Sequence, residues 1–259
     1  MRVRGFYLPA LLLGPVLALA QPPRQNAPPQ TAREAAPVDL TGYWVSVVSE
    51  DWRWRMVTPL PGDFASVPLN TEGRRVGESW DPAADEAAGL ECKSYGAPAI
   101  MRVPGRVHIT WRDESTLALE TDSGTQTRLF HFDAPPSTSM APSWQGYSVA
   151  NWERPAQGPE APDPIGIFSR RIANKGRSLE VTTSDLRPGY LRKNGVPYSE
   201  QTTVREFYDY HEEPNGDEWF TVTTIVDDPV YLRNVFITSS DFKKEPNASE
   251  WNPTPCSAR

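Results

Sequence analysis

Apolar and polar residues alternate in short runs over most of the chain after residue 41, which is the pattern of half-buried β-strands. The turn-forming sequences Asp-Ser-Gly at 122–124 and Asn-Gly at 215–216 separate neighbouring runs and favour hairpins. We therefore predict an all-β, antiparallel barrel or sandwich. Its predicted strands are 42–48, 52–59, 99–103, 106–112, 116–121, 125–132, 147–152, 178–183, 202–210, 218–227 and 236–242.

Two short helices are predicted in the interval between the early strands. Asp81 is a good N-cap, Pro82 suits the first helical position, and Gly89 provides a stop. Asn70 or Thr71 could cap a second helix that runs to about residue 78. The chain has 27 Pro and 17 Gly, which leave little room for long helices. We expect these helices to form an insertion that covers one end of the β-structure.

The first residues resemble an export signal. Arg2 and Arg4 precede an apolar run over 6–19, and Ala-Leu-Ala at 18–20 is a small-x-small cleavage site. We predict a signal peptide over 1–20, a disordered Pro- and Gln-rich leader over 21–37, and a single β-barrel domain over 38–259. The Pro-rich stretch 154–164 is predicted to be a loop. The protein is therefore expected to be periplasmic or secreted.

The charge and the cysteines narrow the possible partners. A net charge of −7 disfavours binding to nucleic acid or to anionic lipid, and no later segment has the length of a membrane span. In an oxidising compartment Cys92 and Cys256 should form a disulfide that holds the C-terminal tail. A catalytic thiol is the alternative, but it would need a base and a reducing compartment. The expected partner is a small molecule, and the oligomeric state is left open.

Two resemblances are carried by motifs. Gly42-x-Trp44 resembles the opening of lipocalin-like (calycin) barrels, in which the Trp closes one end of the barrel. This resemblance implies an antiparallel lipocalin-like β-barrel, and the one or two short helices predicted in an insertion depart from the standard lipocalin pattern. Residues 144–153 read W-Q-G-Y-S-V-A-N-W-E, which is similar to a segment of a family of uncharacterised secreted bacterial proteins. The stretches 178–183, 195–200, 204–207 and 227–232 follow in that family's order.

The family resemblance does not imply an activity, and this chain departs from the family at two positions. Tyr147 and Tyr198 stand where the family often has His, so a metal site built on those His would be lost here. The three His of the chain also lack the spacing of a zinc site. We expect neither a bound metal nor a cofactor.

Four residues are candidates for catalysis. Arg128 lies among aromatic residues on one strand face and could hold a carboxylate, or it could simply cover an aromatic surface. Tyr198, close to Arg192 and Lys193, could be a general acid, because a neighbouring cation lowers the pKa of a phenol. Glu206 could be a base, and His131 could enter the same pocket if its strand face points inward. Together they would form a cofactor-independent lyase, isomerase or hydratase.

Aromatic and polar residues near the predicted strand ends are candidates for ligand binding. Large aromatic side chains around a few polar groups are what a barrel needs in order to hold a small organic molecule. We therefore predict an exported protein that binds a small, partly hydrophobic molecule in an aromatic-lined cavity. The alternatives are the enzyme above and an envelope protein-interaction factor. The candidate ligand-binding residues are Trp52, Trp54, His108, Gln126, Trp144, Tyr147 and Arg192.

Overall fold

The computed structural model describes residues 30–133, 141–153 and 178–259, and it shows a closed barrel of nine strands. The predicted signal peptide and the predicted loop over 154–164 lie outside the described residues. The all-β barrel prediction is confirmed. The barrel strands are β1 (Gly42–Val47), β2 (Arg106–Trp111), β3 (Thr116–Thr121), β4 (Thr127–His131), β5 (Tyr147–Trp152), β6 (Ser178–Ser184), β9 (Thr203–Glu212), β10 (Glu218–Asp227) and β11 (Phe236–Glu245). Around the barrel they follow the order β1, β11, β10, β9, β6, β5, β4, β3, β2, and β2 pairs with β1 to close it.

One pair of neighbouring strands departs from the antiparallel prediction. β4 and β5 run parallel, with Phe130 opposite Ser148, whereas the other neighbouring pairs are antiparallel. Parallel neighbours need a crossover connection, and here the chain crosses between residues 132 and 146. The prediction from hairpin spacing could not detect this, because the spacing gives the number of strands but not their direction.

The interior of the barrel is filled by side chains. Trp44, which the Gly-x-Trp motif places on β1, is fully buried and donates its indole N–H to the carbonyl of Leu40 at 2.9 Å. Its ring meets Phe220 edge-on at 4.9 Å between centroids, and Phe220 stacks on Phe242 at 4.8 Å. Tyr208 continues this aromatic cluster. Alternation along the strands puts these rings inside and polar residues outside.

Helices between β1 and β2 cover one end of the barrel. Both predicted helices are present: α2 (Thr71–Glu78), capped by Asn70, and α3 (Pro82–Ala87), whose cap Asp81 accepts from two backbone N–H groups. Three further short helices occur, α1 (Trp52–Arg55), a 3₁₀ helix (Glu91–Tyr95) and α4 (Ala97–Ile100).

The strand predictions over 52–59 and 99–103 are wrong, because α1 and α4 lie there. In α1 the carbonyl of Asp51 accepts from the N–H groups of Trp54 and Arg55, so one helical turn replaces the apparent alternation. All four residues of α4 are buried, and a short apolar run buried on every side has no periodicity that separates a helix from a strand.

A small hairpin joins the helices on the covered end. No strand is predicted between residues 183 and 202, but this part of the chain contains β7 (Gly189–Arg192) and β8 (Val196–Tyr198). These two strands do not join the barrel, and their apolar side chains pack against the helical insertion. This second hydrophobic core includes Phe64, Leu69, Leu191, Val196, Tyr198 and Phe236.

The two chain ends of the domain are attached to the barrel. Cys92 and Cys256 form the predicted disulfide, with their Cα atoms 5.1 Å apart. At the other end, the backbone carbonyl of Ala32 accepts from the indole N–H of Trp152 at 2.9 Å. Arg33 also donates its backbone N–H to the carbonyl of Glu114 at 3.2 Å, so residues before Val38 contact the barrel. Among the described residues no helix is long and apolar enough to cross a membrane.

Candidate ligand-binding cavity

A cavity of about 450 Å³ lies on the covered end, outside the barrel. Six parts of the chain enclose it: α1 and the residues after it, the 3₁₀ helix, α4 with the link to β2, the turn between β3 and β4, the β7–β8 hairpin, and the C-terminal tail. Its wall consists of Trp54, Arg55, Met56, Val57, Thr58, Ser94, Tyr95, Ala99, Arg102, Val103, Pro104, Ser123, Leu191, Arg192, Lys193, Thr254, Pro255 and Ser257.

The single turn of α1 directs Arg55 inward and leaves Trp52 outside. Arg55 is 8% exposed, whereas Trp52, three residues earlier, is 66% exposed. The Nε–H of Arg55 donates to the carbonyl of Arg102 at 3.0 Å, which ties α1 to the end of α4. Trp54 and Arg55, the last two residues of α1, both line the cavity.

The β7–β8 hairpin supplies the opposite wall through Leu191, Arg192 and Lys193. Its turn holds a fully buried Asn194, whose side-chain amide donates to the carbonyls of Leu60 at 3.1 Å and Asp63 at 2.9 Å. The Nη1–H of Arg192 donates to the carbonyl of Ala65 at 2.7 Å. These three bonds fasten the hairpin to the segment that follows α1, which brings Trp54 and Arg192 together.

The C-terminal tail closes the third side of the cavity. Thr254 donates its backbone N–H to the carbonyl of Asp122 at 2.8 Å and accepts from the Thr125 hydroxyl at 2.9 Å. The disulfide at Cys256 then fixes the tail to the 3₁₀ helix that carries Tyr95. The tail is held in place by this cross-link and a few hydrogen bonds, since it has no long element of its own.

The wall of the cavity carries four basic side chains and no acidic one. Arg102 forms an ion pair with Asp51, Nη2 to Oδ2 at 2.8 Å, but Asp51 is not part of the wall. Arg55 and Arg192 donate only to backbone carbonyls, and each retains buried guanidinium nitrogens without a partner in the described structure. Buried cations usually have a hydrogen-bonded carboxylate partner, and the two arginines have none in the described structure, although Asp51 is near enough to attract both.

The electrostatic environment of these arginines is repulsive. Burial, together with the neighbouring charge of Arg102, lowers the pKa of Arg55 and that of Arg192 to about 10. Both therefore remain protonated at neutral pH. A positive field within a wall of low dielectric attracts an anion strongly, because few charges or water molecules screen it.

Aromatic rings complete the wall. The guanidinium of Arg192 lies 4.9 Å from the ring centre of Trp54, and the Lys193 ammonium lies 4.9 Å from that of Tyr95. These cation–π contacts keep the two rings in place beside the charges. The site therefore combines flat apolar surfaces with a cluster of cations.

The structure places only two of the seven predicted ligand-binding residues in this wall, Trp54 and Arg192. Trp52 is exposed to solvent. His108 lies on the outer face of β2, where it stacks on Tyr43 at 4.0 Å and contacts Glu120. His108 and His131 both lie on outward-facing positions of their strands, so the condition under which His131 could enter an interior pocket is not met.

The remaining three predicted ligand-binding residues lie outside the cavity wall. Gln126 donates to the carbonyl of Gly124 and accepts from Gln145, beside the disulfide. The ring of Trp144 lies under the guanidinium of Arg187 at 4.5 Å. Tyr147 stacks on His131 with 4.8 Å between ring centres, outside the barrel.

Two of the four predicted catalytic residues meet inside the barrel. Arg128 holds a carboxylate with both Nη atoms, as predicted for its strand face, but the carboxylate is that of Glu206, at 2.9 and 2.5 Å. Both side chains are fully buried, and Arg128 also donates to the hydroxyl oxygens of Tyr208 and Thr183, while its Nε has no partner among the described residues. Burial alone would lower the pKa of Arg128, but the charge of Glu206 raises it above its ordinary value.

The other two predicted catalytic residues lie elsewhere. His131 is on the outer face of β4, and burial against its neighbours lowers its pKa. Tyr198 lies in the second core, where its hydroxyl has no partner among the described residues. Burial raises the pKa of Tyr198, and this outweighs the opposite effect of Arg187. The four residues therefore do not form one active site.

Sequence reasoning missed Arg55, Arg102 and Tyr95 as parts of a site. Arg55 and Arg102 lay in segments assigned to strands, where nothing distinguished them from solvated charges. The only available signal was the basic character of 53–55, 102 and 192–193 in an acidic chain. In the described part of the chain, no group of three or more His, Cys, Asp or Glu is placed to hold a metal ion. Comparisons of the chain with protein-family models, with curated proteins and with solved structures gave no match.

Proposed function

We propose that this chain is an exported protein that binds a small, partly hydrophobic organic molecule in the cavity beside the barrel. The observation that carries the proposal is the cavity itself, about 450 Å³ between the helices, the hairpin and the tail. Sites for small organic molecules typically measure 300–1,000 Å³ and combine apolar walls with a few polar groups. Trp54, Tyr95, Met56 and Leu191 supply the apolar surface here.

The proposed binding site differs from the one predicted from the sequence, which lay inside the barrel. Packed rings of Trp44, Phe130, Phe220 and Phe242 occupy the barrel interior, each no more than 1% exposed. The interior cation Arg128 already has a carboxylate partner. A buried aromatic cluster in a barrel is compatible with ligand binding, but here it supports the cavity from behind, through the packing of Tyr95 and Ile100 against it.

The disulfide supports the export part of the proposal, because such bonds persist in oxidising compartments. The signal-like sequence over 1–20 agrees with it. Membership of the family of secreted bacterial proteins stays part of the proposal and rests on the order of the motifs from residue 144 onward.

Native mass spectrometry of the mature protein, purified from its own exported fraction, tests the function. We expect a retained small molecule that is lost when the cavity is filled by Leu191→Trp. Ile237→Trp, on an exposed position of β11, is the matched control and should retain it. Retention by the Leu191→Trp variant, or an empty protein that binds none of a library of small aromatic and aliphatic compounds, would contradict the proposal.

A protein-interaction role is the second candidate, and an exposed apolar ridge favours it. Within residues 52–60, four apolar side chains are 58–77% exposed: Trp52, Met56, Val57 and Leu60. Two of them, Met56 and Val57, also border the cavity. Clustered exposed apolar residues often mark a binding surface. A photo-crosslinking residue at position 52 in the native envelope should then capture one defined protein, whereas the same residue at position 74 should not.

A further inference from the structure

The charge of the cavity is opposite to that of the protein. The whole chain carries a net charge of −7, yet the cavity wall contains Arg55, Arg102, Arg192 and Lys193 and no Asp or Glu. A random sample of this acidic surface would contain more carboxylates than cations. The wall therefore concentrates positive charge around a cavity that is large enough for a small molecule.

The unpaired state of two arginines is the second observation. Arg55 is 8% exposed and Arg192 is 4% exposed. Three of their nitrogen atoms have no hydrogen-bond acceptor in the described structure: Nη2 of Arg55, and Nε and Nη2 of Arg192. Such groups are costly to bury, so a protein that retains them gains when an acceptor arrives. The lowered pKa of each arginine has the same origin, since burial and Arg102 both disfavour the added proton.

The rest of the wall limits what the acceptor can be attached to. Trp54 and Tyr95 present rings, and Val103 and Leu191 present aliphatic surface, next to the cations. An inorganic anion would leave this surface uncovered, whereas an organic anion would cover it. Planar carboxylate and sulfonate groups match the forked donors of a guanidinium.

We propose that Arg55, Arg102 and Arg192 bind the anionic group of an amphipathic organic acid, whose apolar or aromatic body lies against Trp54 and Leu191. This inference rests on the proposed function and adds the chemical class of the ligand. Arg102 is partly neutralised by Asp51, so Arg55 and Arg192 provide most of the selectivity for charge. Lys193 borders the same cavity and adds attraction at longer range.

The test uses three probes that share one bicyclic body: 2-naphthoate, 2-naphthylmethanol and 2-naphthylmethylammonium. Their affinities for the disulfide-intact mature protein are measured by calorimetry at pH 7. We expect the anion to bind at least about tenfold more tightly than the alcohol, and the ammonium to bind weakest. Arg192→Gln and Arg55→Gln should each reduce the preference for the anion by about fivefold or more and leave the alcohol within about twofold.

The control is Arg74→Gln, which removes the same charge from an exposed position of α2 and should change none of the three affinities. Equal binding of anion and alcohol, or preference for the ammonium, overturns the inference but leaves the proposed function intact. A preference for the anion that survives in both the Arg55 and the Arg192 variants also overturns it. If none of the probes binds the wild-type protein, the proposed function fails as well. The wild-type comparison needs no variant, so a variant that does not fold cannot obscure the result.

Discussion

Replacing Glu206 with Met would leave the Arg128 guanidinium inside the barrel without its counter-charge. Both side chains are fully buried and joined by two hydrogen bonds, and Arg128 Nε already lacks a partner among the described residues. Breaking a buried ion pair on one side costs about 3–5 kcal/mol, because the remaining charge has lost both water and partner. For a domain of this size, that corresponds to a fall in Tm of roughly 6–20 °C.

The matched control is Glu180→Met, which removes an ion pair on the outer face of the barrel, between β6 and the strand β9 that also carries Glu206. Glu180 of β6 contacts Arg205 of β9 at 3.0 Å, with the side chains 32% and 53% exposed. Exposed pairs contribute about 0–1 kcal/mol, so this variant should unfold almost as the parent does. The difference between the two variants isolates the effect of burial from the loss of a carboxylate.

Urea unfolding followed by tryptophan fluorescence, with the disulfide intact, measures both variants. Replacing both Arg128 and Glu206 by Met should restore much of the lost stability, because no unpaired charge then remains inside. A cost for Glu206→Met as small as that for Glu180→Met would refute the reasoning, since it would mean that water reaches the interior pair.

Three further predictions concern the cavity and the outer face. Replacing Cys92 and Cys256 by Ser should lower the free energy of unfolding by up to about 5 kcal/mol. It should also weaken 2-naphthoate binding, because the disulfide holds the C-terminal tail against the cavity. Unchanged binding in the Ser variant would contradict this role. Trp54→Ala should weaken probe binding in calorimetry, whereas Trp52→Ala, which removes the exposed ring, should not. Burial lowers the pKa of His131, so the folded protein prefers the neutral ring. The contribution of His131 to folding stability is therefore fully present above its unfolded pKa of about 6.5. It is lost as the pH falls through the lower pKa of the folded state. An NMR titration of His131 should show that lowered value, and an ordinary one would contradict the prediction.

Local patterns in the sequence were sufficient for the barrel strands and the two capped helices. β3 and β5 begin and end where their alternation does, and Asp81 and Asn70 cap α3 and α2 as predicted. Alternation and capping are interactions between residues a few positions apart, so they can be read without knowledge of the fold. The disulfide followed from the number of cysteines and the inferred compartment.

Tertiary structure alone decided where the site lies. Arg55, Arg102 and Arg192 come from three distant segments, and nothing local distinguishes them from solvated surface charges. Their inward placement depends on one turn of helix, on the fully buried α4, and on a hairpin fixed by Asn194 to a segment more than 130 residues away. Only the folded chain determines which side chains lose water and which find a partner, because burial and pairing depend on long-range contacts. The sequence therefore specified the barrel, whereas the packing of its helices, hairpin and tail created the cavity and its charge.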